Sequence, residues 1–352
     1  MGINYKKLRS LGVPDEIIST LDERDGGNID PQGNVLFLDE DRVKSREDLD
    51  HPLRKNQSNG LGIKNSIVKK SSANIHRKTT PPTQMFDLLE KGAAWDKNSI
   101  KGKIYRSFMG FDAKGYTHGT VLPLNVDMSN MVHGGVLPID LVYAYLEDAE
   151  FIAIMHRCVC RYNYDCKDYP IDFGCIFLNA AGRIAVQDGI GRKVTVEEAK
   201  EHVQQAMKHG LFANAEFVQI EQFLWGLRND QMNEFRMICF CDNRYCLAMR
   251  VVRNGNKEIK ARFTSCGYTS VIDHDKCVGC KSCASACPQK AISYREDGKS
   301  VINQDNCMGC GFCRLECRRG AISTKQTMPL RASVNEYFLK EARIDDGLPH
   351  KK

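Results

Sequence analysis

Residues 277–288 read CVGCKSCASACP, and residues 307–317 read CMGCGFCRLEC. In each stretch three cysteines stand three residues apart and a fourth follows after a gap of three residues. The second stretch repeats the cysteine positions of the first at an offset of thirty residues, and the triplet Ala-Ile-Ser at 291–293 recurs at 321–323 at the same offset. This pattern predicts two copies of one supersecondary unit.

The spacing of these cysteines indicates iron–sulfur chemistry. Each iron of a cubane core takes one thiolate, and three cysteines three residues apart on a tight loop can each reach a different iron, so that the fourth thiolate must come from elsewhere in the chain. Structural zinc sites are usually built from two separated C-x2-C pairs. A triplet of cysteines therefore fits zinc poorly, and we expect [4Fe–4S] clusters.

Residues 270–325 resemble two-cluster bacterial-type ferredoxins. The resemblance implies a pseudo-twofold α+β unit, an alpha-beta plait in which each half is a short hairpin with a short helix after the fourth cysteine. In such proteins the fourth cysteine of each run ligates the other cluster. Arg318 stands where the first copy has Pro288, which is a turn-setting residue and not a ligand. The implied ligands are Cys277, Cys280, Cys283 and Cys317 for cluster one, and Cys307, Cys310, Cys313 and Cys287 for cluster two.

Composition and charge narrow the class of protein. The chain has 352 residues, sixteen of them cysteine, and a formal net charge of +6. Two [4Fe–4S] clusters with their thiolates would bring that charge to roughly +2, so the basic excess does not indicate nucleic-acid binding. No apolar run approaches the length of a membrane span or forms a signal peptide. We therefore expect a cytoplasmic protein, in which many thiols favour metal over disulfides.

Four segments are expected along the chain. Residues 1–82 are predicted to form an N-terminal helical segment followed by a polar linker or arm, and residues 83–265 a mixed α/β cysteine-rich domain. Residues 266–327 are the ferredoxin-type domain, and residues 328–352 are a tail with a short helix. In the larger domain we predict helices over 138–150 and 196–208, the second opened by a capping box at Thr195, and strands around 217–220 and 235–239.

The eight other cysteines fall into two groups. The first is compact and can supply a third cluster: Cys158, Cys160, Cys166 and Cys175. The second, whose fourth member is distant in sequence, can supply a further site: Cys239, Cys241, Cys246 and Cys266. Zinc, thiol redox chemistry and free cysteines are the alternatives, and the two groups can also combine in one site.

The region 137–246 resembles uncharacterised [4Fe–4S]-binding proteins of anaerobic bacteria and archaea. The resemblance rests on LPID at 137–140, CVCR at 158–161, CKDYPIDFGC at 166–175 and ICFC at 238–241. It implies a fusion of a cysteine-bearing domain to a two-cluster ferredoxin. Residues 242–245 read DNRY where that family has more thiols.

We predict an iron–sulfur electron-transfer protein that passes single electrons to or from a protein redox partner. The alternative is a ferredoxin-fused reductase, an oxidoreductase component whose 83–265 domain carries an additional, substrate-facing cluster. A third possibility is a zinc-binding or oxidant-sensing module. The sequence shows no nicotinamide, flavin or P-loop fingerprint and assigns no catalytic residue.

Overall fold

The computed structural model describes residues 27–29, 35–37, 83–112, 117–126, 137–187, 190–221 and 236–328. Within this part of the chain the protein is mixed α/β, with helices packed on strands that form sheets. Of the predicted N-terminal helical segment and arm over 1–82, only residues 27–29 and 35–37 are described, and both are strands; the predicted tail helix lies outside the described residues.

The main sheet has seven strands in the order β6-β4-β5-β8-β7-β3-β9. All neighbouring pairs are antiparallel except β3 and β9, which run parallel. The strand bounds are β3 His118–Leu122, β4 Ile152–Met155, β5 Ile176–Leu178, β6 Gly191–Lys193, β7 Phe212–Phe217, β8 Arg236–Cys241 and β9 Phe263–Ser265. In a separate two-stranded sheet, β1 Gly27–Ile29 pairs antiparallel with β2 Val35–Phe37.

The helices of this domain begin where local chemistry favours them. Helix α6 starts after Thr195, whose hydroxyl accepts from the backbone N–H of Glu198 while the Glu198 carboxylate accepts from the N–H of Thr195. Helix α3 has Pro138 in its first turn. Both helices confirm the sequence prediction. The bounds are α1 Thr83–Gly92, α2 Ile100–Met109, α3 Pro138–Asp148, α4 Val159–Asn163, α5 Asn179–Gln187, α6 Val196–Lys208, α7 Leu247–Asn254 and α8 Lys257–Lys260.

The sheet has a layer on each face. Phe240 of β8 points to one face, where its ring meets His202 of α6. Because side chains alternate along a strand, Cys239 and Cys241 point to the other face. That face is covered by α4, α7 and α1, and Arg250 of α7 bonds to Glu90 of α1 at 2.7 Å. The cysteines of β8 therefore lie between the sheet and this second layer.

The C-terminal segment contains two two-stranded sheets. Strand β10 Tyr268–Ile272 pairs antiparallel with β13 Ile322–Gln326, and β11 Ile292–Tyr294 pairs antiparallel with β12 Ser300–Ile302. Short helices α9 Ser282–Ala286 and α10 Phe312–Leu315 and a 3-10 turn at Gln304–Asn306 complete it. The helices and strands recur at the thirty-residue offset of the sequence repeat.

A pair of glycines shows why the repeat includes more than cysteines. Gly279 and Gly309 occupy equivalent positions with φ of 69° and 75°, a left-handed conformation that glycine adopts at little cost. At Gly309 a Cβ would also stand 1.9 Å from the backbone oxygen of Tyr268. The second loop can therefore approach β10 this closely only with glycine at position 309.

Three expectations about local structure were wrong. The strand placed at 217–220 is instead β7 at Phe212–Phe217, and the backbone turns helical at residue 219. The short helices α9 and α10 precede the fourth cysteine of each run and carry the third. The hairpins are not confined to one half, because each two-stranded sheet takes one strand from each copy of the repeat.

Candidate functional site

The second C-terminal site brings together cysteines from both copies of the repeat. Cys287 lines one small cavity with Cys307, Cys310 and Cys313. Burial, with the neighbouring Cys307 and Cys287 adding to it, raises the pKa of the Cys313 thiol to about 12. Thiolates at this position need compensating positive charge, which the irons of a cluster supply. The donor set therefore fits an iron–sulfur cluster.

The first C-terminal site is more exposed. Cys283 is buried and lies within electrostatic range of Cys280 and Cys317, which represent both copies of the repeat. Cys280 is exposed, and the neighbouring Val278 has 60% of its surface accessible. Hydrogen bonds from Ser282 lower the pKa of the Cys280 thiol, and Arg318 lowers it further. This end of the segment therefore faces solvent.

Backbone and hydroxyl groups contact the sulfurs in equivalent ways at the two sites. The N–H of Ala291 donates to Cys287 Sγ and the N–H of Ala321 to Cys317 Sγ, each at 3.3 Å. Ser300 Oγ lies 3.3 Å from Cys283 Sγ, and its counterpart thirty residues earlier, Ser270, lies close enough to Cys313 to lower the pKa of that thiol. Such contacts orient ligands and tune a cluster.

The larger domain gathers six of its cysteines into one closed ring. Side-chain contacts link Cys158 to Cys160 and Cys175, Cys160 to Cys246, and Cys239 to Cys241. Two further Sγ–Sγ contacts close it: Cys175 to Cys239 at 3.2 Å, and Cys241 to Cys246 at 3.1 Å. We call this set the cysteine ring: Cys158, Cys160, Cys175, Cys239, Cys241 and Cys246.

Two of the predicted site residues lie away from the ring. Cys166 donates to the backbone oxygen of Tyr169 at 3.6 Å and accepts from the N–H of Tyr169 at 3.4 Å. Cys266 is fully buried between β9 and β10, within electrostatic range of Tyr145 and Tyr268. The structure therefore brings together three cysteines of each sequence group and leaves the fourth of each elsewhere.

Strand and helix ends place the ring. Cys158 is the N-cap of α4 and accepts from the N–H of Arg161 at 3.5 Å, and Cys246 is the N-cap of α7. Cys239 and Cys241 lie on the same face of β8, and Cys175 immediately precedes β5. Rigid elements thus hold every member of the ring.

Arg161 lies beneath the ring with only 1% of its side chain exposed. Its Nε donates to the Pro170 oxygen at 3.0 Å, its Nη1 to the Phe240 oxygen at 3.1 Å, and its Nη2 to the Phe173 oxygen. Nη1 also lies 3.7 Å from Asp242 Oδ2. Burial works to lower the pKa of the Arg161 guanidinium, but Cys158, Cys175 and Asp242 together raise it. The guanidinium therefore gives the ring a fixed positive charge.

A buried carboxyl group also touches the ring, and sequence analysis missed it. Glu216 of β7 hydrogen-bonds to Cys239 and accepts from Asn214. Burial, with Cys246 and Glu221 adding to it, raises the pKa of Glu216 well above its ordinary value. The alternation of polar Asn214 and Glu216 within an apolar strand was the available signal.

The ring faces a mostly apolar cavity of about 100 Å³. Arg157, Glu216 and Glu221 are the charged residues in its wall, and burial raises the pKa of Glu221 to about 8. The wall also contains five ring cysteines and apolar side chains that include Met109, Phe111, Met155, Phe177, Met237 and Phe263. A small molecule in this cavity would contact the sulfurs directly.

One helix connects the ring to the second C-terminal site. Cys246 caps the start of α7, and Arg253 in its last turn lies within electrostatic range of Cys287 and Cys310. Seven residues of α-helix rise about 10 Å. The loop after Cys287 also docks on the larger domain, because Gln289 Nε2 donates to the Phe263 oxygen at 3.1 Å. The two sites are therefore near neighbours.

No group of three or more His, Cys, Asp or Glu residues in the described part of the chain is arranged to hold a single metal ion. None of the helices found there combines the length and the apolar character that crossing a bilayer requires.

Comparison with known proteins identifies one part of the chain. Residues 270–325 match the family model of the 4Fe-4S dicluster domain. This match supports a 4Fe–4S ferredoxin-type domain near the C-terminal end, with iron–sulfur binding and electron transfer as its general activity. Neither the curated proteins nor the solved structures include a match to the chain.

Proposed function

We propose that the protein is an iron–sulfur electron carrier that binds two [4Fe–4S] clusters in residues 266–327 and exchanges single electrons with a protein redox partner. The observation that carries the proposal is the cavity in which Cys287 of the first run meets Cys307, Cys310 and Cys313 of the second. Cluster one takes Cys277, Cys280, Cys283 and Cys317. Each cluster, when bound, supplies one-electron redox chemistry.

The two sites differ in what surrounds them, and this difference suggests which cluster each neighbour contacts. Cys280 and Val278 are exposed at the first site, so a partner can approach there. Phe312 of the second site packs edge-on against Phe212 of β7, with ring centroids 5.1 Å apart. Cluster one is therefore the contact point for the partner, and cluster two faces the larger domain.

The interlocked ligation can be tested by counting iron in protein purified without oxygen. We expect about eight irons from this segment. Cys287→Ser combined with Cys307→Ser removes ligands of one cluster and lowers the count by at most about four. Cys287→Ser combined with Cys277→Ser removes a ligand from each cluster and lowers the count by up to about eight. The reverse pattern would show that each run holds its own cluster.

The cavity beside the cysteine ring favours a second candidate, a reductase fused to a ferredoxin. In that case α7 and the contact between Gln289 and Phe263 connect cluster two to a site that can admit a small, mostly apolar molecule. Filling the cavity with Met237→Trp would abolish substrate reduction and leave the iron of residues 266–327 unchanged. If electron transfer to the natural acceptor survives this change, the result favours the function of an electron carrier over that of a reductase.

A further inference from the structure

The cysteine ring is continuous across the two sequence groups. Cys175 of the first group contacts Cys239 of the second, and Cys160 of the first contacts Cys246 of the second. In a pair of separate four-cysteine sites, each cysteine would instead contact only cysteines of its own sequence group. The contact between Cys175 and Cys239, at 3.2 Å, joins the two groups and is nearly as short as the contact between Cys241 and Cys246 within one group, at 3.1 Å.

The number of thiols exceeds what one small centre uses. A structural zinc ion and a [4Fe–4S] cubane each take four protein ligands. Six thiols meet here, each in contact with two others. A four-ligand centre would leave two thiols touching it without a role.

Charge also favours several metal ions. As metal ligands the six thiols would carry six negative charges, whereas Arg161 beneath the ring and Arg157 in the cavity wall contribute one positive charge each. Unpaired charges in a buried site are costly. The positive charge of a core of several irons and sulfides would offset part of this excess.

We propose that the six thiols of the cysteine ring hold one polynuclear iron–sulfur centre, ligated from both sequence groups and open to the apolar cavity. Cys166 and Cys266 are not among its ligands. The proposal goes beyond the carrier function and does not depend on the clusters assigned to residues 266–327. It replaces two four-cysteine sites by a single larger one.

The test counts iron, acid-labile sulfide and zinc per full-length chain after anaerobic purification. The wild-type protein should contain more than the about eight irons of the C-terminal segment. Cys175→Ser and Cys239→Ser, one from each group, should each remove the same additional iron, and the double variant should remove no more than either single variant.

The matched controls are Cys166→Ser and Cys266→Ser, which alter buried cysteines of the same groups outside the ring. Both should keep the full iron content. If either control loses the additional iron, or if Cys175→Ser and Cys239→Ser have additive effects, two separate sites exist and the proposal is overturned.

Two further outcomes would also overturn it. These are a wild-type iron count of about eight or fewer, and zinc in place of the additional iron. Both outcomes are measured as the metal content of the wild-type protein, so they do not depend on whether a variant folds. Cys287→Ser separates this proposal from the carrier function, because it should lower the C-terminal iron and leave the iron of the ring intact.

Discussion

Cys175 Sγ lies 3.2 Å from Cys239 Sγ, although 64 residues separate the two cysteines in the chain. The reason is strand register. Strands β5 and β8 pair Ile176 with Ile238, so continuing the antiparallel register places Cys175 opposite Cys239. Directly opposite residues have Cβ atoms about 5 Å apart. A slip of one residue would turn Cys239 to the other face of the sheet and break the ring.

Replacing Arg161 should destabilise the protein strongly. Arg161→Met leaves the Asp242 carboxylate, 1% exposed, without its buried partner, and a broken buried ion pair costs about 3–5 kcal/mol. Chemical unfolding under anaerobic conditions measures this cost. Adding Asp242→Asn should recover part of it. Arg244→Met is the control, because Arg244 pairs with Asp168 at the surface and should lose less than about 1 kcal/mol.

If Arg161→Met and Arg244→Met shift the unfolding midpoint equally, the ion pair beneath the ring is not the buried element that we describe.

The stability of the larger domain should fall in mild acid because of His202. Burial lowers the pKa of His202 to about 4, and its ring stacks on Phe173 while Nε2 hydrogen-bonds to the Gly174 oxygen at 2.8 Å. The unfolded chain, with a histidine pKa of about 6.5, binds the proton that the folded protein excludes. The contribution of neutral His202 is therefore complete above about pH 6.5 and is lost as the pH falls towards 4.

His202→Gln keeps a donor for the Gly174 oxygen and removes the titration. We expect the stability of the wild-type protein to fall relative to this variant by roughly 1 kcal/mol per pH unit below 6.5. Urea midpoints at pH 7 and pH 5.5, at equal iron content, give the comparison. If the difference in urea midpoint between the two proteins does not change with pH, the prediction that His202 is neutral in the folded protein is wrong.

The thirty-residue repeat predicts opposite effects at Lys290 and Gly320. Both have positive φ, 55° and 61°, but only the second is glycine. A non-glycine residue pays about 1–2 kcal/mol in this conformation. Lys290→Gly should therefore stabilise the protein by about 0.5–1 kcal/mol after the entropy of glycine is counted. The reciprocal change Gly320→Ala should destabilise it by about 1 kcal/mol. If the thermal unfolding midpoints of both variants move in the same direction, positions 290 and 320 are not structurally equivalent.

The hydroxyl groups beside the C-terminal thiols should tune each cluster separately. Ser300 Oγ lies 3.3 Å from Cys283 Sγ, and the Ser270 hydroxyl lies near Cys313, where it can donate to the thiolate of a bound cluster. A hydrogen bond to a ligand sulfur favours the reduced, more negative cluster. Ser300→Ala should shift the potential of cluster one to a more negative value, and Ser270→Ala that of cluster two.

A redox titration followed by EPR can resolve the two couples. Ser293→Ala, at an exposed position of β11, is the control and should move neither. The assignment fails if Ser300→Ala and Ser270→Ala shift the same couple.

Local chemistry made much of the protein predictable. The capping box at Thr195 and the proline at position 138 each act within one helical turn. The two helices, α6 and α3, therefore begin at the residues that these signals predict. In each cysteine run, 277–287 and 307–317, the first three ligands lie on one short loop, so their spacing alone indicates an iron–sulfur cluster. The family match to residues 270–325 agrees with this prediction. The strand at 217–220 was misplaced, since apolar composition does not fix where a buried strand ends.

The sequence by itself determined the iron–sulfur character of the C-terminal segment, because ligand spacing there is set by consecutive residues. It also identified all six ring cysteines as candidate ligands, but it could not decide how they group. Tertiary structure decided that grouping, since the antiparallel register of β5 and β8 and the start of α7 at Cys246 join distant segments. Cys166 and Cys266 are excluded from the ring for the same reason: closeness in space depends on strand pairing and not on separation along the chain.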